Sequence, residues 1–129
     1  MSINKEIINT TQAPAPIGPY NQAIKAGNTL YVSGQIALIP DTGELIQGTV
    51  SDEAHQVLKN INAVLSAAGY TFADVVKTTI FLRDMNDFAA VNAVYGEYFI
   101  EQAPARETVA VAGLPKNVHV EISVIAYKP

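Results

Sequence analysis

Residues 51–69, SDEAHQVLKNINAVLSAAG, decide the fold of this chain. Ser51 carries the side chain of a helix N-cap, and Asp52 and Glu53 would place negative charge in the first turn. Gly69 stands where a helix commonly ends at a glycine. Between these ends, apolar residues recur every three or four positions, as on one face of an α-helix: Ala54, Val57, Leu58, Ile61, Val64, Leu65 and Ala68. The stretch predicts an amphipathic helix whose apolar face must be covered by another element.

The other regular segments are mostly predicted strands. Runs of β-branched and aromatic residues predict strands over residues 20–25, 29–35, 75–82, 107–112 and 118–127, with 36–39 continuing the second of them. Residues 26–28 are typical of a hairpin turn, and residues 40–43 of a second turn. Residues 87–100 predict a second helix, because their aromatic and aliphatic side chains share one broad face.

The element order is therefore strand pair, helix, strand, helix, strand pair. Two amphipathic helices each need one covered face, and the simplest arrangement lays both on one side of a mixed sheet. This predicts an α+β fold in which residues 1–129 form a single domain. The opposite face of the sheet must then meet water or another subunit, and its content of Val, Ile and Phe favours a subunit interface.

Composition and charge exclude several functional classes. The 129 residues are 49% hydrophobic, which excludes a disordered chain, and no apolar run is long enough to span a bilayer. Residues 1–6 lack the features of a signal peptide, and the absence of cysteine excludes a disulfide framework. These features fit a cytoplasmic protein. The net charge of −4 and the scattered lysines and arginines argue against nucleic acid as a partner.

Arg106 is the first candidate for chemistry. It follows Ala103-Pro104-Ala105 and opens a strand, and a guanidinium can hold a carboxylate through two parallel hydrogen bonds. The alternative is a surface arginine paired with an acid such as Glu107. Alternation along the strand turns Glu107 to the opposite face and places Thr108 on the face of Arg106, where its hydroxyl could touch the same ligand.

Two further polar residues lie within predicted elements. Glu121 alternates with the apolar face of the last strand, so it is either a carboxylate that orients water or a glutamate on a wet sheet face. Asn92 falls in line with Phe88 and Tyr95 on the second helix, where a buried amide would hold a loop or touch a ligand.

The first hairpin supplies the remaining candidates. Tyr20 follows Gly18-Pro19 and could cover a ligand, or it could be a packed strand aromatic. Ser33 precedes Gly34, which either lets a ligand approach the backbone or forms a β-bulge. His55 and His119 have no second histidine or cysteine nearby, so we predict no metal site.

Six segments together resemble the Rid family, also called YjgF/YER057c/UK114, and within it the RidA subgroup. They are APIGPY at 15–20, SGQI at 33–36, VKTT at 76–79, NDFAAVN at 86–92, PAR at 104–106 and LPKNVHVEI at 114–122. The resemblance extends over nearly the whole chain. Thr108 stands where many members have cysteine, and Gly113 replaces a frequent arginine.

The resemblance implies a chorismate-mutase-like fold of the bacillary type, assembled as a homotrimer with ligand clefts between subunits. It implies hydrolysis of 2-iminobutanoate and 2-iminopropanoate to 2-oxo acids and ammonia, which removes reactive metabolites without any cofactor. Arg106 would bind the substrate carboxylate, and Glu121 would orient or activate water. The cleft would be lined by Tyr20, Ser33, Gly34 and Asn92.

Two other functions stay open at this point. One is a regulatory protein that binds small carboxylates without catalysis, and the other is the translation-inhibitor or endoribonuclease role attributed to some members. Arg106 supports carboxylate binding with or without catalysis, whereas Glu121 favours an enzyme. The acidic balance of the chain counts against a role on RNA.

Overall fold

A six-stranded mixed sheet with two helices on one face is the framework of the protein. The structure is a computed structural model and describes residues 5–129. The strands are β1 (Lys5–Ile8), β2 (Ala23–Ala26), β3 (Thr29–Gln35), β4 (Val75–Leu82), β5 (Ala105–Ala110) and β6 (Val120–Tyr127). The helices are α1 (Val50–Ala67) and α2 (Phe88–Tyr98). The predicted α+β class is confirmed.

Helix α1 has the predicted face, but its N-cap lies two residues before the expected one. Thr49 is the N-cap: its side chain accepts a hydrogen bond from the Asp52 amide, and the Asp52 carboxylate accepts one from the Thr49 amide. Ser51 was therefore wrong as the cap, because the reciprocal capping box requires the acid three residues after the hydroxyl. Gly69 follows the helix with a φ of +79°, as a terminal glycine should.

The strand order β1-β2-β3-β6-β4-β5 places the last strand in the middle of the sheet. β4 and β5 pair in parallel across the α2 crossover, and β6 inserts antiparallel between β3 and β4. The expected pairing of the two C-terminal strands was wrong, because the helical crossover returns β5 to the outer side of β4.

Several boundaries near the N-terminus also differ from the sequence prediction. β1 was not predicted, since four residues with two charges give a weak pattern. The next strand begins at Ala23, so Tyr20 lies in the preceding loop and not in a strand. β3 ends at Gln35, and its expected continuation forms only an isolated bridge between Leu38 and Leu45.

The two faces of the sheet have different surroundings. Val120, Ile122 and Val124 of β6 are buried in the same apolar cluster as the inner faces of α1 and α2. Side chains at alternate positions point to the other face, which no helix covers. There, one cross-strand row joins Ile7, Ile24, Tyr31 and Ile125. Tyr31 and Ile7 in this row are 50% and 57% exposed, so this part of the open face leaves large apolar side chains accessible.

Two earlier predictions concern membranes and the start of the chain. The prediction that the chain starts without a signal peptide rests partly on residues 1–4, which lie outside the described residues. Neither α-helix within residues 5–129 combines the length and apolar character that crossing a bilayer requires.

Candidate functional site

Arg106 lies on the helix-covered face of the sheet, at its outer strand. It is the register partner of Thr78, which is fully buried beneath α2. Its guanidinium carbon lies 4.8 Å from the centre of the Tyr95 ring and 5.7 Å from that of Phe88. Its Nη1 donates a hydrogen bond of 2.8 Å to Asn92 Oδ1. Three residues of one helix therefore hold the guanidinium in place.

The charge of Arg106 has no acidic partner within residues 5–129. The ion pairs there join His55 to Glu97, Lys77 to Glu107, and His119 to Glu53. Glu107 points to the opposite sheet face, as strand alternation predicts, and accepts a 3.0 Å hydrogen bond from Lys77 Nζ. A partly exposed guanidinium that is held but not neutralised is suited to an anionic ligand.

Thr108 shares the face of Arg106, two residues along β5. It is the register partner of buried Ile80. Its hydroxyl oxygen is buried and has no hydrogen-bond partner among the residues that the structure describes. A buried hydroxyl without a partner is costly, so a ligand that hydrogen-bonds to Thr108 Oγ1 would remove that cost. The hydroxyl lies on the same side of the sheet as Arg106.

Asn92 contacts Arg106 but is not the buried amide that the sequence predicted. Its side chain is exposed, and its hydrogen bond with Arg106 of β5 is exposed as well. The alignment with Phe88 and Tyr95 is correct, and it explains why all three contact Arg106.

Glu121 lies on the open face of the sheet, on the central strand β6. It is the register partner of Phe81 and faces Gly34 across the β3–β6 pair, where the register shifts between Val32 and Gln35. A Cβ on Gly34 would lie 2.9 Å from Glu121 Cδ and Oε2. The irregularity and the missing side chain thus make room for the carboxylate. Partial burial raises the pKa of Glu121.

A cavity of about 60 Å³ lies beside Glu121 and Gly34. Its other walls include Tyr20, Ile17 and Pro115, so segments distant in sequence enclose it. Tyr20 is 47% exposed, which excludes the packed strand aromatic considered above. The phenol oxygen accepts a 3.4 Å hydrogen bond from the Ile17 amide, closing a short loop over the cavity.

The loop that carries Tyr20 is fixed from behind by Gln22, a buried amide that the sequence did not single out. Gln22 Nε2 donates to the carbonyl oxygens of Thr10, Ala13 and Pro14 at 2.8–3.2 Å. Its Oε1 accepts from the Thr10 amide at 2.6 Å. One side chain thus determines the course of residues 10–14. The signal available in the sequence was the polar side chain of Gln22 directly before the apolar start of β2 at Ala23.

Ser33 supports the same loop and does not line the cavity. Its hydroxyl donates a 2.6 Å hydrogen bond to the Asn21 carbonyl, and its amide donates one of 2.9 Å to the Gln22 carbonyl. The structure therefore brings Tyr20, Gly34 and Glu121 together at the cavity, with Ser33 behind them.

The candidates form two groups that do not meet within one chain. The Arg106 group contains Asn92 and Thr108 and lies on the helix-covered face, whereas the Glu121 group lies on the open face. β4 separates the two strands, which places them about 10 Å apart in the sheet. Arg106 and Glu121 of one chain therefore cannot hold the same small molecule.

Tyr95 belongs to the site, although its sequence pattern predicts only a core position on the second helix. It was assigned to the apolar face of α2, and it is indeed 6% exposed. Its hydroxyl lies 2.8 Å from Thr78 Oγ1, and burial raises the pKa of the phenol, which stays neutral. The helical spacing from Asn92 was the signal that could have identified it.

Comparison with known families assigns the chain. The model of the family described as endoribonuclease L-PSP matches residues 10–128. The chain belongs to this family. Its relatives include proteins named for the Rid group: reactive intermediate deaminase A of Arabidopsis thaliana is 49% identical over 97% of this chain and 67% of its own. The resemblance to the Rid family is thereby confirmed.

Further relatives and solved structures agree in length and fold. A RutC family protein of Pyrococcus horikoshii is 58% identical over 96% of this chain and 98% of its own. The 2-iminobutanoate/2-iminopropanoate deaminase of Mus musculus is 51% identical over 97% and 93%. The crystal structure of E. coli TdcF with bound serine matches with a TM-score of 0.91 and 45% identity, covering 96% and 99%.

Proposed function

We propose that this protein hydrolyses short 2-imino acids, such as 2-iminobutanoate and 2-iminopropanoate, to 2-oxo acids and ammonia. The observation that carries the proposal is the guanidinium of Arg106, which Tyr95 and Asn92 hold in a fixed position and which no acid among residues 5–129 neutralises. The names of relatives from mouse and Homo sapiens, 51% and 47% identical, support this substrate class. We place the activity in the cytoplasm, consistent with a chain free of cysteine.

We further propose that the site forms between subunits of a homotrimer with a chorismate-mutase-like arrangement of the bacillary type. Separation of Arg106 and Glu121 onto opposite faces supports this, because only a neighbouring subunit can bring the two groups to one ligand. The apolar row that includes Ile7, Tyr31 and Ile125 supports burial of the open face between subunits.

In the proposed mechanism, Arg106 binds the carboxylate through two hydrogen bonds and so fixes the imine carbon. Glu121 of the adjacent subunit accepts a proton from water as the water oxygen bonds to that carbon. The product is a carbinolamine, and the proton held by Glu121 passes to its nitrogen. The C–N bond then breaks and ammonia leaves, while the hydroxyl gives its proton to the Glu121 carboxylate and becomes the carbonyl of the 2-oxo acid.

The remaining residues have simpler roles in this proposal. Thr108 offers its unpaired hydroxyl beside the bound carboxylate, and Tyr20 covers the side facing Glu121. Gly34 leaves the space that the Glu121 carboxylate occupies. A protonated imine is already electrophilic, so positioning and acid–base catalysis of about 10²–10⁴-fold suffice, and no cofactor or metal takes part.

A second candidate is a protein that binds small carboxylates without catalysis. The bound serine in the E. coli TdcF structure favours it, since an amino acid is a stable analogue of an imino acid. Partial burial raises the pKa of Glu121, which makes this carboxylate a better proton acceptor than an exposed glutamate and favours catalysis instead.

The experiment couples the purified protein to a threonine dehydratase and follows 2-oxobutanoate formation. Wild type should accelerate the reaction, whereas Arg106→Ala and Arg106→Lys should lose the acceleration, because an ammonium cannot form the paired hydrogen bonds. Arg83→Ala is the matched control: Arg83 is the other arginine of the chain, and it contacts His119 and Asn117 instead. A wild-type protein without effect would refute the deaminase proposal.

A further inference from the structure

The guanidinium of Arg106 rests on an aromatic ring that is itself immobilised. We propose that Tyr95 is the positioning residue for Arg106: its ring face determines where the guanidinium sits and therefore how a carboxylate can approach. This inference rests on the proposed function, in which Arg106 binds the substrate carboxylate. Nothing in the proposed chemistry requires Tyr95 to touch the substrate.

Tyr95 has the properties of a rigid platform. Its hydroxyl and Thr78 Oγ1 lie 2.8 Å apart, and Thr78 is fully buried on β4. Its ring packs against Phe99 with 4.5 Å between the ring centres. Because the ring is fixed at its hydroxyl end and at its side, it cannot rotate away from Arg106 without breaking both contacts.

The register of the sheet couples this platform to the arginine. Thr78, which contacts the Tyr95 hydroxyl, is also the strand partner of Arg106. The ring centre and the guanidinium carbon are 4.8 Å apart, within the range of a cation–π contact. The same two neighbouring strands therefore fix both the platform and the group that rests on it.

The geometry restricts the side from which a ligand can reach Arg106. The guanidinium carbon lies over the Tyr95 ring, and Asn92 Oδ1 accepts the hydrogen bond from Nη1. A guanidinium has further N–H donors in its plane, and a carboxylate lying in that plane forms two parallel hydrogen bonds with them. A long arginine side chain that is already ordered loses less freedom when it binds, which strengthens binding.

The test measures 2-oxobutanoate binding by calorimetry together with KM and kcat in the coupled assay. Tyr95→Leu should raise the Kd and KM about 5- to 30-fold through loss of the cation–π contact, while kcat changes less. Tyr95→Phe keeps the ring and should stay within about 2-fold of wild type. Phe72→Leu is the matched control, since its ring packs on those of Tyr98 and Phe99, whereas the Arg106 guanidinium lies over Tyr95 and Phe88.

A second series separates positioning from folding. Phenylalanine at position 95 carrying one, two or three ring fluorines keeps nearly the same shape but withdraws electrons from the ring face. The Kd should rise stepwise with fluorine number, whereas a residue needed only for packing would give a constant Kd.

The outcomes distinguish this inference from the proposed function. A wild-type Kd in Tyr95→Leu and in the fluorinated series, with binding lost in Arg106→Ala, would overturn the role of Tyr95 alone. Failure of the wild-type protein to bind 2-oxobutanoate or to accelerate the coupled reaction would overturn the proposed function.

Discussion

Mixing two inactive variants of this protein should restore activity, because one chain holds Arg106 and Glu121 on opposite faces of its sheet. The variants are Arg106→Ala, which keeps the glutamate, and Glu121→Gln, which keeps the arginine. Alone, Glu121→Gln should have about 1% of wild-type activity or less, since loss of an acid–base group costs about 10²–10⁴-fold. Arg106→Ala should also lose its activity, because it no longer binds the substrate carboxylate.

The magnitude of the restored activity follows from the symmetry of a trimer. If each site takes its arginine from one subunit and its glutamate from the next, random assembly of equal amounts pairs an intact arginine with an intact glutamate at about one site in four. The mixture should therefore reach about a quarter of wild-type activity, far above either parent.

The assay is the coupled formation of 2-oxobutanoate, measured on trimers formed by co-expression of differently tagged chains. A mixture of wild type with the double variant provides the control. It should also give about a quarter of wild-type activity if sites lie between subunits, but about half if each subunit has its own site. The intersubunit site would be refuted if the mixture of Arg106→Ala with Glu121→Gln is no more active than either variant alone, while the mixture of wild type with the double variant keeps about half of wild-type activity.

Three further predictions follow from the same structure. Because burial raises the pKa of Glu121, a pH profile of kcat/KM should fall on acidification at a higher pH than for an exposed glutamate, and Glu121→Gln should lack this inflection. Gly34→Ala should lower kcat in the coupled assay about 10²-fold, because the new methyl displaces the Glu121 carboxylate. Gly96→Ala is its control, since a methyl there meets no described atom within 4 Å. Thr49→Ala should lower the free energy of unfolding by about 0.5–2 kcal/mol, measured by denaturation at fixed protein concentration. If Thr49→Ala is as stable as wild type and Ser51→Ala is destabilised, the observed cap is contradicted.

Local patterns in the sequence predicted the elements well where one periodicity dominates. The face of α1 and the bounds of β4 agree with the prediction, because long apolar patterns reflect burial directly. The cap of α1 was misplaced because two hydroxyl residues, Thr49 and Ser51, lie close together and only one has an acid at the required spacing.

The order of the strands could not be derived from such patterns. The position of β6 between β3 and β4 depends on contacts between residues far apart in sequence. The partly buried contact of Glu53 with His119 has the same origin, since the two residues are 66 positions apart in the sequence. A local pattern contains no information about such pairs.

The residues of the site were found by two different kinds of inference. Strand alternation correctly turned Glu107 away from Arg106 and placed Thr108 beside it. The same alternation puts Glu121 on the other face, but this became apparent only once the sheet order was known. The roles of Arg106 and Glu121 in catalysis stay predictions, which the mixed trimers would test.

The hydrogen bonds of Gln22 have a practical consequence for redesign. This amide secures residues 10–14 from inside, so the path of that segment does not depend on the outer side chains of the following loop. Ile17, which lines the cavity and is 64% exposed, is the natural position to enlarge or reduce. Substrate range could therefore be engineered at Ile17 while the hydrogen bonds of Gln22 are left intact.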